Sequence, residues 1–125
     1  MSKCETWEER ALGNIFIRKM RFKAAGDIMA GHKHCFDHTT IVFSGSVHIS
    51  AILPDGTKID RDVFAPSRDN FPADGEGYVC IKADVEHEIT ALEDNTEAWC
   101  VFAHRDKHGE VISEYHGNTS AYASA

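Results

Sequence analysis

The sequence predicts an all-β protein made of a single domain, built as a sandwich or a barrel. Between Asn14 and His104, short β-like runs alternate with turn residues at a spacing of roughly 8–12 residues, which is typical of both architectures. The chain has 125 residues, of which 42% are hydrophobic and 26% are charged, and this suffices for one core without disulfide support. Neither an internal repeat nor a linker indicates a second domain.

The two ends of the chain are predicted to flank the barrel domain, which we place at residues 14–116. Residues 1–13 form a short N-terminal arm, in which residues 5–12 favour one or two helical turns that end at Gly13. Residues 117–125 are small and polar apart from one tyrosine, and this composition predicts a flexible C-terminal tail.

Most of the predicted strands are short runs rich in β-branched and aromatic residues. They are residues 15–22, 46–53, 58–65, 78–81, 87–92 and 98–103. The pair Asp55-Gly56 is a hairpin signal between two of these strands, and Asp94-Asn95 marks the turn before the last one. Residues 66–77 contain two prolines and two glycines, which predicts a loop at one end of the domain.

Charge and composition exclude several classes of function. The formal net charge is -7, and the longest basic run, at residues 18–21, is interrupted by a methionine, so we expect no nucleic-acid partner. No run of 18 apolar residues is present and the first ten residues are polar and acidic, so we expect neither a membrane partner nor a signal peptide. The four cysteines lack Cys-x-x-Cys spacing. They therefore indicate reduced thiols and a cytoplasmic location.

A group of histidines carries the most specific chemical signal. His32 and His34 are two residues apart, so they project to the same side if they lie in one strand. A turn after them would bring His38 to the start of the next strand, and His87 follows another turn far along the chain. A lone His-x-His pair usually lies on the solvent-exposed surface and binds no metal. The third histidine and the glycines that flank the segment favour a metal site, because imidazole is a common ligand of transition metals.

The spacing of this segment resembles the first sequence motif of the cupin family. Gly26, His32, His34 and Gly45 match that motif, and His38 stands where the family has a glutamate. The second cupin motif is reduced to His87, because Lys82, Asp84 and Ala91 replace its proline, glycine and asparagine. The resemblance covers about residues 15–103, which is most of the chain.

The resemblance implies a cupin-type β-barrel, a jelly roll of two antiparallel sheets with a short N-terminal arm. It is similar to the small cupins that bind one divalent transition metal through four histidines, here His32, His34, His38 and His87. Iron or manganese is favoured, while zinc, nickel and copper stay possible. By the same similarity, Cys100 and Phe102 would point inside near the metal, beside a small Ala98, as candidate catalytic residues, and the protein would form a homodimer. Cys100 is interpreted as a redox-active neighbour of the metal, and a reduced core cysteine is the alternative.

Four neutral ligands leave the charge of the metal uncompensated by the protein, which favours an anionic small-molecule substrate or ligand. In a six-coordinate ion they also leave two open positions, which suits O2 activation. We therefore expect an oxygen-using, dioxygenase-like oxidoreductase that acts on a small organic molecule. A non-catalytic ligand-binding or sensor cupin and a non-redox lyase or isomerase are the alternatives. A tetrahedral ion would have all positions filled.

Four further residues near the predicted site require interpretation. Arg18 shares a strand face with Phe16, so it is a candidate anchor for an anionic substrate, and an arginine at an edge or a dimer interface is the alternative. Asp37, Glu86 and Glu88 are neighbours of ligand histidines. Strand alternation predicts that their carboxylates face solvent.

Overall fold

The computed structural model describes residues 3–66, 77–103, 105, 108 and 110. The predicted tail and most of the predicted loop at 66–77 lie outside these residues. Within them the chain forms β-strands and no helix, so no described helix is long and apolar enough to cross a membrane. The strands are β1 (Glu5–Leu12), β2 (Ile15–Phe22), β3 (Ile28–His32), β4 (His38–Ser44), β5 (Ser46–Ile52), β6 (Lys58–Phe64), β7 (Tyr78–Ile81), β8 (Glu86–Ala91) and β9 (Thr96–Ala103).

These strands form two antiparallel sheets. The five-stranded sheet has the order β1-β2-β9-β4-β7, and the four-stranded sheet has the order β3-β8-β5-β6. Every pairing between neighbouring strands is antiparallel. The predicted all-β class and the jelly roll implied by the resemblance are therefore confirmed, and the predicted strands match the observed ones to within about two residues at their ends.

The predicted helical turns in the N-terminal arm are wrong, because Glu5–Leu12 forms strand β1. This strand is an edge of the five-stranded sheet, and it pairs with β2 up to Leu12 opposite Ile15. Gly13 and Asn14 connect the two strands as a two-residue hairpin, which is a pattern typical of tight β-turns. The glutamates of the segment favour a helix only locally, and pairing with β2 overrides that preference.

The core lies between the inner faces of the two sheets. Alternate residues of β2, β4 and β9 point into it, as the burial pattern of β9 shows by switching between buried and half-buried at every position. The largest apolar side chains that are fully buried there are Phe22, Phe36, Met20, Ile89, Val42, Val47 and Val63. His34, His38 and His87 are buried as well, so their positions depend on the packing of this core.

Both turns predicted from the sequence are confirmed. Asp55 and Gly56 connect β5 to β6, and the Asp55 carboxylate accepts a hydrogen bond from the backbone N–H of Thr57 at 2.9 Å. At Asp94-Asn95 the chain turns from β8 into β9, and Asn95 takes a φ of 58°. Asparagine tolerates this left-handed conformation better than most residues.

Gly45, which connects β4 to β5, is expected to tolerate no side chain. It takes a φ of +77°, and a Cβ atom there would overlap the side chain of Thr96. We expect Gly45→Ala to lower the free energy of unfolding by about 2–4 kcal/mol, through left-handed strain and overpacking. Gly56→Ala is the control, because Gly56 has a similar φ of +91° and open space around it. Urea denaturation that shows equal losses for both variants would contradict the steric role of Thr96.

His48 lies on the outer face of the four-stranded sheet between two carboxylates. Its Nδ1 is 2.6 Å from Asp62 Oδ1, and its Nε2 is 3.0 Å from Asp60 Oδ1. Hydrogen bonding to Asp62 and then to Asp60 raises the pKa of His48 above its ordinary value. The same contact lowers the pKa of Asp60. Outward placement of His48 agrees with the strand alternation of the sequence.

The direction of this shift predicts how the contact depends on pH. Because the pKa of His48 is higher in the folded protein, its stabilisation is complete below the unfolded value of about 6.5 and is lost as the pH rises through the folded value. NMR titration of the ring should give a pKa above that of an unfolded peptide, and Asp62→Asn should lower it. Glu97→Gln, on the other sheet, should leave it unchanged. An unshifted pKa in the wild type would contradict the contact.

Candidate metal centre

Three histidines from two distant parts of the chain meet inside the barrel. His34, His38 and His87 are all buried, and each offers a ring nitrogen such that these atoms lie within 4.8 Å of one another. The ring centroids are 5.0 Å apart for His34 and His38, 5.0 Å for His38 and His87, and 5.5 Å for His34 and His87. A single ion can bridge imidazoles at this spacing after small rotations of the side chains.

His34 and His38 are brought together by a bend between β3 and β4. Strand β3 ends at His32, so His34 lies in the connection between β3 and β4. The prediction that His32 and His34 share one strand is therefore wrong. The chain bends at Cys35 and Phe36, and His38 is the first residue of β4, as the sequence predicts. The Phe36 ring stacks on the imidazole of His34 with 4.7 Å between centroids.

Backbone pairing places His32 beside His87. The two residues are Cα partners in the β3–β8 ladder, and Ala51 of β5 is the partner of His87 on the other side. The side chain of His32 lies outside the described part of the structure. Its role as the fourth ligand therefore stays a prediction, which the position of its backbone next to a member of the cluster supports.

A hydrogen bond fixes the orientation of the His87 ring. Its Nδ1 lies 3.0 Å from the carbonyl oxygen of Val85. Because a carbonyl only accepts, Nδ1 must carry the proton, and the lone pair of the neutral ring then lies on Nε2. Metal-binding histidines in proteins commonly donate their other ring N–H in this way, which holds the ring and its tautomer. His87 thus presents the nitrogen that a metal would need.

Backbone contacts join the bend before β4 to the turn before β8. The Asp37 carboxylate accepts a hydrogen bond from the backbone N–H of Ala83 at 2.8 Å, and the N–H of Asp84 donates to the carbonyl of His34 at 2.7 Å. Lys82 also lies 3.4 Å from Asp37. Asp84, which stands at the glycine position of the second cupin motif, takes a φ of 65°. Although the second cupin motif is reduced to His87, the chain still turns just before β8, the strand that contains His87.

The carboxylates next to His38 and His87 are not part of the histidine cluster. Glu86 and Glu88 are exposed, as strand alternation predicts. Asp37 is exposed as well, and its hydrogen bond to the turn before β8 was not predicted. That contact joins residues 46 positions apart, and a single sequence carries no signal for such a pairing.

Cys100 and Phe102 lie inside the barrel, where the sequence placed them. Both are buried, and Phe102 stacks on Phe36 with 4.0 Å and on Phe16 with 5.0 Å between centroids. The Cys100 thiol lies 3.5 Å from the hydroxyl of Thr40, a buried residue of β4 that the sequence analysis did not single out. All four cysteines are free thiols. The catalytic roles suggested for Cys100 and Phe102 stay predictions.

Arg18 is engaged by the N-terminal strand. Its Nε donates a hydrogen bond to Thr6 Oγ1 at 2.8 Å and lies 3.7 Å from Glu9 Oε1. Burial raises the pKa of Glu9, and the positive charge of Arg18 opposes this. Neither partner was expected, because the segment that carries them was predicted to be helical. The role of Arg18 as an anchor for an anionic substrate stays a prediction.

Comparison with known proteins identifies structural neighbours and no sequence family. No model of a protein family matches the chain, and no curated protein matches it either. Among solved structures, the manganese-containing oxalate decarboxylase of Bacillus subtilis is similar at a TM-score of 0.57 and 25% identity, over 72% of this chain and 21% of that one. The chain therefore spans about a fifth of the length of that enzyme.

Two further structures give the same result. An oxalate oxidase in complex with the substrate analogue glycolate has a TM-score of 0.55 and 16% identity, over 70% of this chain and 40% of the other. A cupin superfamily protein from Desulfitobacterium hafniense has the same TM-score and identity, over 81% of this chain and 77% of the other. With its two antiparallel sheets and its buried histidine cluster, the chain has a cupin fold whose interior fits a metal site.

Proposed function

We propose that this protein is a metal-dependent cupin that binds one divalent transition metal through His34, His38, His87 and His32. The observation that carries the proposal is the convergence of three buried imidazoles from two remote segments. Imidazoles crowded inside an apolar core need polar partners, and a cation satisfies several of them at once. The manganese centres named for the structurally similar oxalate decarboxylase support the proposal, with manganese or iron as the favoured ion.

The donor set indicates an anionic substrate. Among the described residues the cluster contains no carboxylate, so the protein supplies only neutral ligands there. A divalent ion held in this way keeps its full charge, and an anionic group of a substrate would compensate it. When bound, the metal would supply Lewis acidity and redox chemistry.

We propose that the reaction is an oxidation that uses O2, of the dioxygenase type. In such a reaction both oxygen atoms enter the substrate, and the substrate supplies the electrons, so no separate reductant is required. The chain itself would hold the substrate beside the histidines and exclude bulk water. The stacked rings of Phe16, Phe36 and Phe102 form an apolar wall that serves this second task.

Oxygen uptake and product analysis test the proposal. The protein is loaded with Fe(II) or Mn(II) and is supplied with carboxylates including oxalate, and with diketones, phenols and thiols. Substrate-dependent uptake of O2 with incorporation of both labelled oxygen atoms into the product supports a dioxygenase. Turnover with Zn or Ni and silence with redox metals would instead establish a lyase or an isomerase. Tight binding without turnover under every metal would establish a non-catalytic ligand-binding cupin.

His38 distinguishes this site from the cupin motif, which has glutamate at that position. We expect His38→Glu to retain one metal ion per chain, because carboxylate oxygen is also a ligand of Mn and Fe, and to weaken the affinity for anionic ligands by about tenfold, because the carboxylate compensates part of the charge. Metal analysis and titration with azide measure the two effects. Loss of the folded state in this variant, detected by circular dichroism, would contradict the ligand role given to His38.

A further inference from the structure

The strand registers connect two of the clustered histidines, His38 and His87, to edge strands of their sheets. In the four-stranded sheet, His87 lies beside Ala51, and Ala51 lies beside Ile59. In the five-stranded sheet, His38 lies beside Ile81. Ile59 and Ile81 belong to β6 and β7, which are edge strands of different sheets. Cross-strand neighbours therefore lead from each of these two histidines to an edge strand, and the two edge strands are not paired with each other.

A cavity of about 270 Å³ lies along these two edges. Its wall includes Ala51 and Ile81, the strand neighbours of two ligand histidines, and Val85, whose carbonyl oxygen accepts the hydrogen bond from His87. Adjacent strands are only about 5 Å apart, so the cavity wall lies one strand spacing from His38 and His87, although neither histidine lines the cavity. The rest of the lining consists of the aliphatic residues Ile49, Leu53, Ile59 and Val79 together with the free thiol of Cys80.

Two cations line the same cavity. Arg61 is the β6 partner of the buried Ile49, so it lies on the inner face of its strand. It is two residues along β6 from Ile59, which also lines the cavity. Its chain neighbours Asp60 and Asp62 lie on the outer face, where they bond to His48. Lys82, the other cation, lies 3.4 Å from a carboxylate oxygen of Asp37, and both side chains are largely exposed. Of these two cations, Arg61 is the one on the inner face of its strand, and it is exposed where it lines the cavity.

We propose that this cavity binds a small monocarboxylate with an apolar body. The hydrocarbon part would pack against the aliphatic side chains of β5, β6 and β7, and the carboxylate would pair with the guanidinium of Arg61. As the substrate of the metal site, this ligand class rests on the proposed function; the binding itself does not require it. The similar oxalate enzymes are named for a small dicarboxylate, which has no apolar body to place against such a wall.

The volume of the cavity limits the size of the ligand. Pockets for drug-sized molecules range from about 300 to 1,000 Å³, and this cavity lies slightly below that range. A short-chain or medium-chain acid such as hexanoate matches this size. Burial of each methylene group contributes affinity, so we expect the dissociation constant to fall by about fourfold for each added methylene from acetate to hexanoate.

Calorimetric titration of the metal-loaded full chain tests the proposal, with acetate, butyrate, hexanoate, hexanol and oxalate as probes. We expect hexanoate to bind more tightly than acetate, than oxalate and than hexanol. Arg61→Met should weaken hexanoate binding by about tenfold or more, as for loss of a charge-assisted hydrogen bond. Lys58→Met is the matched control, because Lys58 lies on the same strand and is absent from the cavity lining. It should bind hexanoate like the wild type.

A second pair of variants tests the apolar wall. Ile59 and Ile52 are both 44% exposed, but only Ile59 lines the cavity. Ile59→Glu should therefore abolish detectable hexanoate binding, through lost apolar contact and repulsion of the carboxylate, while Ile52→Glu should leave it unchanged. Because both positions are exposed, neither variant is expected to unfold the domain, and circular dichroism checks this.

The outcomes separate this proposal from the proposed function. Hexanoate binding that depends on Arg61, in a protein that takes up no metal, supports the cavity assignment and contradicts the metal-dependent function. Metal-dependent uptake of O2 together with hexanoate binding that is absent, or that Arg61→Met leaves intact, overturns the cavity assignment alone. Oxalate that binds more tightly than hexanoate would likewise overturn it.

Discussion

Replacement of His87 by alanine is expected to lower the affinity for a divalent metal by more than about 100-fold. Changes to groups that only support a metal ligand commonly cost 10-fold to 100-fold in affinity, and removal of a ligand should exceed this. Within the described cluster, His87 is the member that comes from β8, far along the chain from His34 and His38. Without it, two imidazoles from one local segment would have to hold the ion with water in place of the lost nitrogen.

The measurement is metal content after dialysis, together with calorimetric titration of the metal-free protein with Mn(II) and Zn(II). His48→Ala is the matched control, because it removes a histidine from the outer face of the same four-stranded sheet. This variant should keep one ion per chain. The metal-free forms of both variants are compared by circular dichroism, so that a folding defect is recognised. An unchanged affinity in folded His87→Ala would show that the cluster is no metal site.

The clustering of His34, His38 and His87 agrees with the sequence prediction, whereas the binding of a metal there stays a prediction. His34 and His38 are close in the chain, so a bend of three residues suffices to bring them together, and spacing alone indicates this. His87 followed from the resemblance to the cupin motif, because the contact between β4 and β8 across the barrel leaves no local pattern. Strand alternation placed His34 in one strand with His32, which is wrong, because His34 lies in the connection after the strand.

The N-terminal strand was the part that the sequence predicted worst. Local preference indicated a helix, but the hairpin with β2 decides the conformation, and this hairpin depends on pairing over the whole length of both strands. The error also concealed the partners of Arg18, since Thr6 and Glu9 reach it only from a paired strand. Arg18, the candidate anchor for a substrate, is therefore bonded to a strand that was predicted to be helical.

The cavity beside the histidines could not be predicted from one sequence either. Strand alternation puts Arg61 on the same face of Lys58–Phe64 as Ile59 and Val63, but it does not show what that face lies against. Its inner position follows from the register that pairs it with Ile49, and from the sheet order that leaves β6 at an edge. Register and sheet order are properties of the whole fold, so the signal for this site appears only in three dimensions.

Replacement of Phe36 by alanine is expected to lower the free energy of unfolding by about 3–5 kcal/mol, the range typical of removing a large aromatic side chain from a core. Phe36 is fully buried, although it lies in the bend between β3 and β4 and not in a strand. Its ring lies between Phe102, at 4.0 Å, and His34, at 4.7 Å between centroids. Phe36→Leu, which keeps most of the volume, should cost about 1.5 kcal/mol or less.

Urea denaturation of the metal-free proteins measures this effect, with Phe64→Ala as the control. Phe64 is 56% exposed, so its loss should cost about 1 kcal/mol or less. A similar loss at both positions would contradict the core role of Phe36.

Because the Phe36 ring also supports His34, the variant should bind metal more weakly even where it is folded. A ligand present at 100 times its dissociation constant stabilises the wild type by about 2.7 kcal/mol, and Phe36→Ala should gain less at the same metal concentration, since the core that gives the fold its stability also positions the metal ligand.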